Sequence, residues 1–242
     1  MRLDGKRAII TGAASGFGKG IAARFVAEGA KVLVADINSE AAAAAAAEIG
    51  GTACSVDVSD ARDVAEMAKA FPDPDIVVNN AGITHLPGPL EDLPEEDFDR
   101  VFAVNAKSVF LTARAFVPAM KARGAGVILN IASTAGLSPR PGLNWYNASK
   151  GWMITATKAM AIELATNGVR VNALCPVAGE TPLLPSFLGE DTPERRAAFL
   201  STIPMGRFST PADLAAAAVY LCSDDASLVT GVALEIDGGR CI

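Results

Sequence analysis

Seven short apolar runs alternate with stretches of helical character, and this alternation constrains the chain more than any other feature. The runs are RAIIT (7–11), KVLVAD (31–36), TACSVDV (52–58), DIVVN (75–79), VILNIA (127–132), VRVNALC (169–175) and VALEID (232–237). Most are β-branched and continuous rather than alternating, which is how parallel strands covered on both faces read. Helical stretches fall at 18–28, 39–49, 61–70, 95–121, 147–166 and 211–223. The second holds seven consecutive alanines, strong helix formers of little bulk. The 95–121 stretch predicts two helices or one bent helix. The repetition predicts an α/β fold with a doubly wound parallel sheet and right-handed crossovers. No composition break calls for a second domain, so residues 1–242 are read as one.

The first strand runs into TGAASGFG, in which Gly12, Gly16 and Gly18 stand between a strand and a helix. Glycines permit a tight turn and close backbone approach, and the helix N-terminus can hold a pyrophosphate. In that setting the motif predicts a dinucleotide site rather than a plain turn, with Ser15 and Phe17 on the same loop. Asp36 ends the second strand, where a carboxylate can accept from both adenosine ribose hydroxyls and repel a 2′-phosphate. Ser15 and Ile37 offer no nearby cation to reverse that preference, so NAD is expected over NADP. Asp57 and Val58 close the third run and are placed against the adenine.

Ligands of parallel sheets bind beyond the carboxyl ends of the strands. Asn79, Ala81 and Gly82 after the fourth run and Ser133 after the fifth should therefore share one crevice. Tyr146 and Lys150, in NWYNASKG, stand one helical turn apart on one face. A phenol titrates near 10, but an ammionium and a nicotinamide charge nearby favour phenolate; a drop of three units takes about 4 kcal/mol. Tyr146 is thus a candidate base for alcohol oxidation and acid for carbonyl reduction. Ser133 can align the substrate oxygen, Lys150 can hold the nicotinamide ribose, and Asn105 can keep a water in line with Lys150.

TGAASGFG, NNAG, Asn105, Ser133 and YNASK stand in the order and spacing of the short-chain dehydrogenase/reductase family, which the chain resembles over nearly its whole length to GVALEIDGG. The resemblance implies a seven-stranded Rossmann-type sheet, hydride transfer with nicotinamide, and a homotetramer in which 95–121 and 147–166 form one contact. It assigns catalysis to Asn105, Ser133, Tyr146 and Lys150. One departure is Val177, where the family commonly has glycine after the proline; Pro176 and Thr181 match the family, which implies a contact of Thr181 with the carboxamide, and Glu180 is expected to point to solvent.

Segment 181–207 combines four prolines with Leu183, Leu184, Phe187, Leu188, Phe199 and Leu200. Such an apolar insertion predicts a lid over a substrate pocket rather than a surface hairpin or subunit contact. Gly136, Leu137, Pro139, Trp145, Val177, Leu183 and Phe187 are candidate pocket residues; Trp145 is equally suited to packing on the opposite helix face, and His85 is as suited to an exposed loop as to the pocket. No arginine cluster announces a substrate carboxylate or phosphate. The expected substrate is a fairly apolar secondary alcohol or ketone of small or medium size. Alternatives are a 3-oxoacyl-carrier-protein or 3-oxoacyl-thioester reductase, which the chain broadly resembles, and a sugar or polyol dehydrogenase. A catalytically silent NAD sensor or scaffold is the non-enzyme alternative.

Other classes fit poorly. A net charge of −6 offers no field for nucleic acid or anionic lipid. No run reaches the ~18 apolar residues of a membrane span. Cys54, Cys175, Cys222 and Cys241 lack metal-ligand spacing and a single histidine leaves no His cluster, so no metal is expected. Free thiols and a start without a signal-like apolar region suggest the cytoplasm. Asn147-Ala148-Ser149 fits the glycosylation pattern but falls in a predicted helix, where it should stay unmodified.

Overall fold

The computed structural model describes residues 1–242. Seven parallel strands, β1 (Arg7–Thr11), β2 (Lys31–Asp36), β3 (Thr52–Ser55), β4 (Ile76–Asn79), β5 (Gly126–Ile131), β6 (Val169–Pro176) and β7 (Ala233–Ile236), form one sheet in the order β3-β2-β1-β4-β5-β6-β7. The nine α-helices are α1 (Gly16–Ala27), α2 (Ser39–Ile49), α3 (Ala61–Ala70), α4 (Glu95–Phe102), α5 (Ser108–Arg123), α6 (Asn144–Leu164), α7 (Leu184–Leu188), α8 (Pro193–Leu200) and α9 (Pro211–Cys222). The strand order reverses between β1 and β4, which opens a crevice at their carboxyl ends.

Successive side chains on a strand point to opposite faces, and here each face feeds its own core. Ala8, Ile10, Val32, Val34, Ile76 and Val78 pack with Phe25 of α1, the alanines of α2 and Leu214 of α9. Ile9, Leu33, Val77 and Ile128 pack on the other side with Met67 of α3, Phe116 of α5 and Leu164 of α6. The apolar runs are continuous because both faces are covered. Ala42, Ala45 and Ala46 are the buried positions of α2, where a small side chain lets the helix lie close to the sheet.

Two boundaries differ from the sequence expectation by three residues, and a third stretch takes the two-helix form expected of it. β3 stops at Ser55 rather than 58, because Asp57 turns the chain: its Oδ1 accepts from the Ser59 N–H (2.9 Å) and hydroxyl (2.7 Å). α6 begins at Asn144, three residues early, which puts Tyr146 in its first turn. The 95–121 region is α4 and α5 joined by a π-helical turn over Ala103–Lys107, with Asn105 buried inside it. Such turns occur mostly as single bulges at functional sites.

Segment 181–207 is closed at its base like a loop with a drawn string. Gly179 bridges Ser209 in parallel, Glu180 N–H donates to the Ser209 carbonyl (3.0 Å), and the Ser209 hydroxyl donates to the Val177 carbonyl (3.0 Å). Above this closure Val177, Leu184, Leu188, Ile203 and Phe208 form a separate small core. Val177 is therefore the floor on which the segment packs. Its backbone φ lies outside the left-handed region, so a β-branched residue takes the place of glycine without strain.

Candidate active site

A cleft of about 600 Å³ lies at the strand ends, lined along one half by the glycine turn and along the other by α6 and the 181–207 segment. Gly12 (φ +61°) and Gly16 (φ +55°) hold left-handed conformations, and a Cβ on Gly12 would lie 2.8 Å from the Ala81 Cα. Gly18 acts differently. It does not face the cleft; a Cβ there would meet the Gly12 carbonyl at 2.3 Å and Asn80 Nδ2 at 2.4 Å, so it lets α1 seat against the turn. Ser15 precedes α1 without capping it through its side chain, which leaves the first-turn N–H groups facing the cleft unclaimed. Strained glycines beside an uncapped helix N-terminus fit a pyrophosphate.

Ser15, Phe17, Asp36, Ile37, Asp57, Val58, Ala81, Gly82, Pro176 and Thr181 all line this cleft, as the sequence led us to expect. The Asp36 carboxylate accepts from Ala14 N–H and Asn38 N–H, each 3.1 Å, which fixes it at the cleft edge. Asn79 is turned away. Its amide donates to Asn130 Oδ1 (2.8 Å) and accepts from the Thr112 hydroxyl (2.8 Å), and Asn130 donates to the Thr157 hydroxyl (2.9 Å). All four side chains are buried, tying β4 and β5 to α5 and α6. The strand alternation accounts for it: Asn79 follows Val77 onto the α5 face. Its neighbour Asn80 holds the turn instead, donating to the Thr11 (2.8 Å) and Gly12 (2.9 Å) carbonyls.

At the chemical end, Ser133, Tyr146 and Lys150 converge and are each at least nine-tenths buried. Ser133 follows β5 and its Oγ accepts from Ala135 N–H (3.1 Å). Lys150 Nζ donates to the Ile131 carbonyl (2.8 Å) and stands 5.9 Å from the Tyr146 ring centre. Burial lowers this ammonium from 10.5 to about 8. Burial also pushes the Tyr146 phenol above its ordinary value, while Ser133 and then Arg140 pull it back. Lys150, from which the spacing predicts such a pull, is not among the groups that exert it. The protein alone does not depress the phenol, because its desolvation outweighs the favourable neighbours.

Asn105 Oδ1 accepts from Ile83 N–H (2.9 Å), and its Nδ2 donates to the Ile83 carbonyl (2.9 Å) and Ser149 Oγ (3.0 Å). The π turn is what aims it there. A Cβ on Gly82 would lie 3.3 Å from Lys150 Nζ and 3.4 Å from Asn105 Oδ1, so Gly82 keeps a narrow passage between them.

Of the candidate pocket residues, Val177, Leu183 and Phe187 line the cleft, and Phe187 meets the Tyr146 ring at 5.2 Å between centres. Gly136 instead backs onto α6, where a Cβ would touch the Lys150 backbone at 2.7 Å. Trp145 packs edge-on to Phe98 of α4 and donates to the Leu90 carbonyl (3.4 Å), outside the cleft. Leu137 and Pro139 are exposed beside the site. His85 is buried, with Nδ1 on the Leu86 carbonyl (2.8 Å) and Nε2 unpartnered, in a side cavity next to the cleft. Glu180 is exposed, paired with Arg196. Arg140 was missed; it lines the cleft beside Tyr146 and Phe187, and no motif announces it.

No group of acidic, cysteine or histidine side chains could hold a metal ion, and no helix is long and apolar enough to cross a membrane. Residues 12–240 match the family described as Enoyl-(Acyl carrier protein) reductase. The chain is 49% identical to the 4-formylbenzenesulfonate dehydrogenase of Comamonas testosteroni, with both chains covered completely. It is 41% identical to the 2-(R)-hydroxypropyl-CoM dehydrogenase of Xanthobacter autotrophicus, with 96% of each covered. Among solved structures, the 3-ketoacyl-(acyl-carrier-protein) reductase from Brucella melitensis, complexed with NADH, is 49% identical and superposes with a TM-score of 0.94 over 99% of this chain and 100% of that one.

Proposed function

The chain belongs to the short-chain dehydrogenase/reductase family and is an oxidoreductase with a nicotinamide cofactor; from that premise we propose that it moves a hydride between NAD(H) and a secondary alcohol or ketone on a small or medium, fairly apolar molecule. The observation that carries this reading is the buried Tyr146 phenol, set at an apolar cleft with Ser133 beside it and the Lys150 ammonium behind it. Bound in the glycine-turn half of the cleft, NAD would supply the hydride acceptor for oxidation and, as NADH, the donor for reduction. Tyr146 Oη takes the hydroxyl proton in oxidation and gives it back in reduction. Ser133 Oγ donates to the substrate oxygen and aligns it. Lys150 is placed to hold the nicotinamide ribose, and the positive charge that the oxidised cofactor would supply, added to the pull of Ser133 and Arg140, brings the phenol down from the value burial imposes. Asn105, facing Lys150 across Gly82, steadies a water through which the proton leaves.

Gly12, Gly16 and the start of α1 hold the pyrophosphate; Asp36 accepts from the adenosine ribose and excludes a 2′-phosphate, which favours NAD over NADP. Asp57 and Val58 border the adenine, and Pro176 and Thr181 the carboxamide. Segment 181–207 covers the substrate. The named substrate of the Comamonas relative, a formyl group on a benzenesulfonate ring, is of a size that suits the cleft. We place the protein in the cytoplasm as a homotetramer; Phe110 on α5 with Trp152 and Ile162 on α6 are exposed apolar side chains suited to the helix contact. A carrier-protein reductase is the less favoured reading, since Lys121 is paired with Glu163 and Arg123 donates to the Pro74 carbonyl.

The test is absorbance at 340 nm over a panel of alcohols and ketones with NAD(H) and NADP(H). Turnover should favour NAD(H), and Tyr146→Phe should lower kcat by about 10³-fold with NADH affinity unchanged. No turnover across the panel, or a Tyr146→Phe variant as active as the native protein, would retire the proposal.

A further inference from the structure

We propose that Arg140 is an anion-binding subsite in the substrate half of the cleft, and that the alcohol or ketone turned over carries a carboxylate or sulfonate opposite its reacting carbon. This deepens the oxidoreductase reading of the same cleft and rests on it.

Arg140 lies on the loop between β5 and α6, half-buried, with its side chain on the cleft wall. The arginines around it are answered by acids. Arg195 pairs with Glu190, Arg196 with Glu180 and Asp191, and Arg207 with Asp213. The charged and titratable groups that act on Arg140 are Arg240, which repels it, and the Tyr146 phenol. Its guanidinium sits 5.7 Å from the Phe187 ring centre and 4.8 Å from that of Phe199, and Arg240 lies 5.3 Å from the same Phe199 ring. Aromatic faces steady a guanidinium but accept none of its five N–H bonds. Arg240 has an outlet, donating to the Thr202 hydroxyl (3.0 Å). Arg140 is thus a partly desolvated cation that shares an aromatic wall with a second cation, an arrangement unfavourable until an anion arrives.

A planar fork of donors matches the paired oxygens of a carboxylate or sulfonate. Position limits the size of the molecule between. Phe187 meets both the Tyr146 ring and the Arg140 guanidinium, at 5.2 Å and 5.7 Å from its own ring centre, so the reacting carbon and the anion belong to one compact molecule. Arg140 and Arg240 stand a hundred residues apart in sequence and meet only through the fold, which is why a scan for clustered arginines finds neither.

The experiment measures calorimetric binding to the protein saturated with NAD, the oxidised form that cannot reduce a ketone, using 4-acetylbenzoate, 4-acetylbenzenesulfonate and neutral acetophenone. The two anions should bind about 10- to 100-fold more tightly than acetophenone, the range of a hydrogen-bonded charge. Arg140→Gln should erase that margin and leave acetophenone unchanged, and Arg140→Lys should restore part of it. Equal affinity for all three probes overturns the proposal, as does a Gln variant that weakens all three alike, the mark of a structural clamp on α7 and α8. Turnover is scored separately: anion selectivity through Arg140 without turnover of any alcohol upholds the subsite and retires the oxidoreductase reading.

Discussion

The two halves of the cleft are built by opposite means. The glycine-turn half is made of backbone. Gly12 and Gly16 take conformations other residues avoid, Gly18 admits α1, and Asn80 pins the turn by bonding carbonyls rather than presenting itself to a ligand. The 181–207 half is made of side chains, with Val177, Leu184, Leu188, Ile203 and Phe208 forming a core apart from those of the sheet. Backbone sites tolerate almost no added atoms but bind a fixed shape. Side-chain sites can be repacked with little loss of fold. One end is suited to a constant cofactor and the other to a substrate that can differ between related proteins.

Substitutions at each end should separate the two. Gly18→Ala drives a methyl into the Gly12 carbonyl, and we expect about 3 kcal/mol of lost stability together with weakened NADH binding, read by melting temperature and calorimetry. A native-like Gly18→Ala would show that the turn has slack and erase the contrast. Val177→Ala removes two methyls from the floor of the segment and should loosen it by about 2 kcal/mol. Faster amide exchange over 181–207 and a raised KM should follow, with NADH affinity unmoved. An equal loss of cofactor affinity would mean that the halves are one unit.

Lys150 stands at the seam, and its expected effect is the smallest. Burial holds its ammonium at about 8 in the fold against 10.5 unfolded. Below pH 8 both states carry the proton, and the fold bears the whole penalty of burying it. Between 8 and 10.5 the unfolded chain keeps the proton longer, so stability from this group rises with pH. Lys150→Met should stabilise the cofactor-free protein by about 1 kcal/mol at pH 7, since the relieved desolvation outweighs the lost bond to the Ile131 carbonyl. That gain should fade toward pH 10.5 in denaturant titrations, while activity is lost at every pH. A gain independent of pH would assign the effect to packing.

The same contrast governs what could be read from the chain. Strand runs, the glycine turn, Ser133 and the Tyr146–Lys150 spacing are local patterns, and the structure gathers their residues at one crevice. Asn79 could have been placed by the period of β4, which carries it with Val77 toward α5 and leaves the turn to Asn80. The π turn had no signal, because nothing in Ala103–Lys107 breaks a helix; it shows only in the fold, where Asn105 bonds both backbone groups of Ile83. Trp145, suited by sequence to either helix face, is decided by where α6 begins, and Gly136 by its packing on the Lys150 backbone, neither of which is a local pattern. Arg140 and Arg240 were illegible for the plainest reason: their proximity is a product of the fold.

The buried chain of Thr112, Asn79, Asn130 and Thr157 bears on how such a protein can change over generations. Replacing any one of the four strands a polar partner in a dry interior, and so does replacing 79 together with 112, or 130 together with 157, because the Asn79 amide donates to Asn130 Oδ1 between the two pairs. The four positions are thus coupled as one set. A lineage drifting away from this chain would have to change them together, and the sheet and its two helices would travel together.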